Sequence, residues 1–134
     1  MKIIKGFPPN FAALKKTFGR LPSNVVFSYG DTIYAPGGQK LHPSIIAHEE
    51  AHGRRQLAIG VTAWWDKYIT DPAFRFEEEL IGHRAEWQHF TSQQVPLPSA
   101  TAQRNALDYM AKRLSGPLYG NIVGYEQAMR EITA

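Results

Sequence analysis

The 134 residues suit one domain, and their apolar and charged fractions are those of an ordinary folded chain. The absence of cysteine excludes a disulfide framework and a thiolate metal site, so any metal must be held by His, Asp or Glu. Net charge is only +3, yet Lys2, Lys5, Lys15, Lys16 and Arg20 fall in the first thirty residues with no acid among them.

No run is long and apolar enough to span a bilayer, and Met1 to Pro9 is too short in apolar residues for a signal peptide. The expected location is therefore cytoplasmic. The basic N-terminal third raises nucleic acid as a partner. Without an accompanying aromatic or RNP-type pattern, a solvated basic surface is the preferred reading.

In chain order, Asn10 to Phe18 reads as a short helix, with Phe11, Leu14 and Phe18 at helical spacing and Gly19 as its stop. Val25 to Tyr29 and Thr32 to Tyr34, joined by Gly30-Asp31, read as a β-hairpin. Pro43 opens a helix running to about Ile59, with His42 at its start and Gly60 as its stop. Within it Ile45, His48, His52 and Gln56 share a stripe, and Ala47, Ala51 and Ala58 form a small-residue stripe for close packing. Val61 to Tyr68 is a shorter helix around Trp64 and Trp65. Asp71 caps the next helix, with Pro72 at its first position, and it continues past Phe90. Val95 to Pro98 is a connector. Ser99 starts a helix to about Leu114, Ser115-Gly116-Pro117 breaks it, and Tyr125 to Ile132 is a final short helix. The predicted fold is α+β, mostly helical, with a small N-terminal hairpin or sheet.

The chemistry concentrates in His48-Glu49-Glu50-Ala51-His52. Two histidines four apart on a helix stand on one face, one turn apart, and can share an ion. With five histidines in the chain, a shuffled sequence would hold roughly 0.01 such motifs. Zinc held by two imidazoles and a carboxylate keeps a position for water, whose proton Glu49 can accept as it attacks a carbonyl. The third ligand should come from another helix, where Glu77, Glu78 and Glu79 compete. Glu79 shares a face with His83, Glu86 and Phe90, which favours it. Glu77 and Glu78 read as acids at a helix N-terminus, favoured there by the dipole.

His48-Glu49-Glu50-Ala51-His52, followed by helical Glu79-Leu80-Ile81-Gly82-His83, resembles the gluzincin pattern of zinc metallopeptidases. The resemblance implies His48, His52 and Glu79 as zinc ligands and Glu49 as general base. The family's small residue maps onto Gly82, and its acid, which orients a ligand histidine, onto His83, a departure from Asp or Asn. The stretches Ala63 to Ile69 and Asp71 to Arg75 resemble small metallopeptidase-like proteins of tailed bacteriophages, which implies a location in the cytoplasm of a bacterial host or association with the virion. The metzincin pattern is disfavoured, because Arg55 and Ile59 occupy the places of its Gly and third His.

The expected activity is hydrolysis of a peptide bond in a peptide or protein substrate. Tyr68, His83, Arg84, His89, Tyr119 and Tyr125 are candidates to stabilise the developing oxyanion, with His83 first because it shares the Glu79 face. The alternative is a non-enzymatic zinc-binding structural, regulatory or virion protein. It draws on the small size, which leaves little room for a deep cleft.

Overall fold

The computed structural model describes residues 1–92 and 98–134. The order of elements is β1 (Lys2–Ile4), α1 (Phe11–Phe18), β2 (Phe27–Tyr29), β3 (Thr32–Tyr34), α2 (Pro43–Ile59), α3 (Val61–Thr70), α4 (Pro72–Thr91), α5 (Ala100–Leu114), a single 3₁₀ turn (Pro117–Tyr119) and α6 (Tyr125–Thr133). The fold is α+β and mostly helical, with its small sheet at the N-terminal end. The connector expected at Val95 to Pro98 lies, up to Leu97, outside the described residues. Among the described residues no helix is long and apolar enough to cross a membrane.

The helix boundaries follow from their caps. Asp71 accepts from the backbone N–H of Ala73 and Phe74, and Pro72 occupies the first position of α4. The Ser99 hydroxyl accepts from Ala102 N–H at the start of α5, and the His42 ring does the same for Ser44 at the start of α2. Gly60, at φ 102°, ends α2 in a conformation that disfavours a side chain. Asn10 precedes α1 without capping it, because its side chain makes no hydrogen bond to the helix.

The hairpin forms as expected, with β2 antiparallel to β3, although Val25 and Val26 lie outside the strand. The sheet has a third strand that the sequence reading did not include. β1 pairs in parallel with β3, giving the order β1-β3-β2.

Two apolar cores flank the centre of the molecule. One joins α4, α5 and α6 through Phe76, Leu80, Met110, Leu114 and Ile132. The other joins α1, the hairpin and α3 through Leu14, Phe27, Trp64 and Trp65. Between them α2 packs along α4, and here the buried faces are polar. α2 buries Ser44, His48, Glu49, His52 and Gln56, and α4 buries Arg75, Glu78, Glu79, His83 and Glu86. Burying such groups is costly unless each finds a partner. Gln56 finds three, accepting from Gly30 N–H at 2.7 Å and donating to the Ser28 carbonyl and hydroxyl at 3.1 and 3.2 Å, and so fastens the hairpin to α2.

The expected small-residue stripe of α2 is only partly used, since Ala51 is buried and Ala58 is exposed. The close approach is made at Gly53, where a Cβ would stand 2.9 Å from the Gly30 carbonyl oxygen.

Candidate metal centre

The α2–α4 seam gathers a cluster of buried titratable side chains that includes His48, Glu49, His52, Glu79, His83 and Glu86. His48 lies between two carboxylates, with Nδ1 2.9 Å from Glu86 Oε1 and Nε2 3.2 Å from Glu79 Oε2. One turn along α2, His52 Nε2 lies 3.7 Å from Glu79 Oε1. Glu79 therefore bridges the Nε2 atoms of both motif histidines. The Tyr68 hydroxyl, from α3, donates to Glu79 Oε1 at 2.7 Å and fixes the carboxylate.

His48 can approach α4 this closely because residue 82 is glycine. A Cβ there would stand 2.6 Å from His48 Nε2 and 2.8 Å from Cδ2 and Cε1. The requirement for a small residue at 82 thus has a direct steric cause.

These groups are geometrically able to hold a metal ion. His48, Glu49 and His52 each offer a donor atom, all within 4.8 Å of one another, as do His48, His83 and Glu86. Donors about 2.0–2.2 Å from a tetrahedral zinc stand about 3.3–3.6 Å apart, close to the 3.2 and 3.7 Å separations of Glu79 from the two imidazoles. Glu79 also stands beside both imidazoles, through Oε2 at His48 and through Oε1 at His52. Glu49 approaches His52 from the Nδ1 side, at 3.8 Å, away from the nitrogens that Glu79 bridges. Glu49 Oε2 is moreover buried without a hydrogen-bond partner among the described residues. His52 Nε2 also faces the Glu78 carbonyl at 3.1 Å, and a proton shared there must leave before an ion can bind.

The electrostatics divide the carboxylates. Burial opposes ionisation of Glu79, but His52 and His48 outweigh it and hold its pKa far below the usual range. Burial also disfavours charge on Glu86, and its contacts with His48 and His83 again prevail, so it too is held low. Glu49 goes the other way. Burial, reinforced by Glu79 and Glu86, pushes it up to about 8 against the pull of His48. Burial likewise disfavours charge on His48, yet its hydrogen bonds to Glu79 and Glu86 raise its pKa well above the ordinary value. Its Nε2 thus faces an anion and calls for a cation, either a proton or a metal.

Of the expected site residues, the fold brings His48, Glu49, His52, Glu79 and His83 together. His83 does not act as the orienting acid. That contact is made by Glu86, one turn further along α4, which holds both His48 Nδ1 and, at 3.3 Å, His83 Nδ1. His83 Nε2 is left buried and without a partner. Glu86 had been placed on the right face without a role, and its spacing of seven from Glu79 was the available signal. Glu77 is an exposed residue of α4, as expected. Glu78 is not. It is 1 % exposed and accepts from Arg55 Nε at 3.1 Å and Trp64 Nε1 at 3.0 Å, tying α2 and α3 to α4.

Of the remaining oxyanion candidates, Tyr68 and Tyr119 line the same cleft as the cluster. Arg84 donates to the Glu131 carbonyl, the Tyr125 hydroxyl donates to Asp108, and His89 lines a separate groove between α2 and α4 that contains none of the cluster.

The cleft over the cluster has a volume of about 880 Å³ and exposes mostly apolar surface. Phe18, Leu21, Val25 and Trp65 contribute to one part of its lining, and Tyr109, Arg113 and Leu118 to another. The small size of the chain thus still leaves a cleft beside the cluster.

In comparison with known proteins, no family model matches the chain, and neither the curated proteins nor the solved structures supply a significant match.

Proposed function

We propose that this chain is a zinc-dependent peptidase, with His48, His52 and Glu79 as metal ligands and Glu49 as general base. The observation that carries the reading is the unpartnered, buried Glu49 Oε2 beside two imidazoles bridged by Glu79, within a cleft large enough for a peptide segment. When bound at these ligands, zinc supplies Lewis acidity, polarising a carbonyl and acidifying water.

The chain's own residues do the rest. Glu86 accepts the Nδ1 proton of His48, which fixes the tautomer and leaves Nε2 free as a ligand. Tyr68 holds Glu79 in place. Glu49 Oε2 takes a proton from the attacking water and passes it to the departing amine. His83, oriented by Glu86 through Nδ1, offers Nε2 as a donor to the developing oxyanion.

The test compares wild type with Glu49→Gln on an unstructured protein substrate. Cleavage by the wild type, abolished by chelation and lowered at least 100-fold in Glu49→Gln while zinc is retained, is the expected result. Zinc bound without any cleavage by the wild type would instead favour a non-enzymatic zinc protein.

A further inference from the structure

Three basic residues among the described ones line the cleft and are not used by the proposed mechanism: Lys40, in the loop before α2, and Lys112 and Arg113, in the last turn of α5. Lys112 is neutralised by Asp108, one turn back, at 3.0 Å. Among the described residues Arg113 has no carboxylate partner. Its Nη1 donates to the Tyr109 hydroxyl at 2.9 Å, and its guanidinium lies 5.6 Å from the Tyr109 ring centre. A cation at a helix C-terminus is favoured by the dipole alone, which would account for either residue. The dipole does not account for a guanidinium steadied by a neutral tyrosine at the edge of a mostly apolar cleft.

The position of Arg113 relates it to the metal cluster. Arg113 lines the same cleft as His48, Glu49, His52 and Glu79, with Tyr68 and Tyr119 also in the lining. An extended peptide advances about 3.4 Å per residue, so a peptide with its scissile bond at the cluster can reach Arg113 with a neighbouring residue along the cleft.

Building on the peptidase reading, we propose that Arg113 is an anion-recognising residue of the cleft, and that the peptide it receives carries a carboxylate on the part that passes Arg113. A planar guanidinium with free N–H donors pairs with a carboxylate through two parallel hydrogen bonds. The carboxylate is either the C-terminus of the peptide or an acidic side chain, and the rest of the cleft calls for apolar neighbours.

The test measures binding by titration calorimetry in the zinc-loaded Glu49→Gln protein, which leaves the probes intact. Three probes are compared: N-acetyl-Phe-Ala-Leu with a free carboxylate, the same peptide as its C-terminal amide, and N-acetyl-Phe-Ala-Glu as an amide. At least one carboxylate peptide should bind tenfold or more tightly than the neutral amide. Arg113→Ala should abolish that preference, and Arg113→Lys should restore part of it. A preference for the free C-terminus alone identifies an exopeptidase-like subsite, and a preference for the Glu peptide an acidic side-chain subsite. Equal affinity for all three probes, equal weakening of all three by Arg113→Ala, or no binding of either carboxylate peptide at millimolar concentration would overturn the proposal. Because the readout is affinity, failure of the peptidase reading appears in the cleavage assay and failure of the subsite appears here.

Discussion

Gly82→Ala tests the geometry of the centre with one methyl group. The added Cβ would stand 2.6 Å from His48 Nε2 and 2.8 Å from two ring carbons. Ordinary van der Waals contact begins near 3.4 Å, so the ring must retreat by about 0.8 Å or α4 must move away from α2. Either displacement exceeds the roughly 0.2 Å tolerance of a metal–nitrogen bond. His48 would then be lost or weakened as a ligand, and zinc affinity should fall at least tenfold, by competition titration against a chromogenic chelator near neutral pH. The fold itself should survive. Overpacking costs about 1–3 kcal/mol, and the better helix propensity of alanine offsets about 1 kcal/mol of it. Unchanged zinc affinity in a folded Gly82→Ala protein would refute the placement of His48 against α4.

Glu86→Gln keeps an acceptor beside His48 Nδ1 but removes its charge, and zinc affinity should fall about 10–100-fold in the same titration. The metal-free protein should also lose stability in alkali. The Glu49 carboxyl, raised by burial from an ordinary 4.5 to about 8, contributes stability that is complete below pH 4.5 and lost as pH rises through 8. His48 is raised above 6.5 because its hydrogen bonds to Glu79 and Glu86 outweigh burial, so its contribution is complete below 6.5 and is lost in the same direction. Thermal melting between about pH 7 and pH 9 should show this fall in the metal-free protein, and zinc should remove it by holding Glu49 charged. A metal-free melting temperature that rises over that range would contradict the assignment.

What could be read from the sequence is what a single helix encodes. Asp71-Pro72, Ser99 and Gly60 marked their helix ends because capping is local chemistry, satisfied within four residues. His48, Glu49 and His52 were legible for the same reason, since a spacing of four on a helix fixes a common face. Glu79 could be chosen over Glu77 by helical phase. Roles that depend on how helices cross were not legible. Glu86 reaches His48 only because α2 lies along α4 with Gly82 at the point of contact. Glu78 looked like a favourable acid near a helix start, and its burial depends on Arg55 from α2 and Trp64 from α3. β1 was missed because Lys2, Ile3 and Ile4 are all exposed, with no alternation between faces, and their partner is a strand some thirty residues away. Arg113 gave no signal, since its place in the cleft depends on α5 packing beside the seam.

The most direct measurement is the zinc content of the purified protein by elemental analysis, wild type beside Glu79→Ala and Glu77→Ala. Glu77 is exposed on the same helix and serves as the control. One zinc per chain in the wild type and in Glu77→Ala, with loss in a folded Glu79→Ala protein, is the predicted result. A wild type that takes up no zinc after reconstitution, or a Glu79→Ala protein that binds it as well as wild type, would contradict the account.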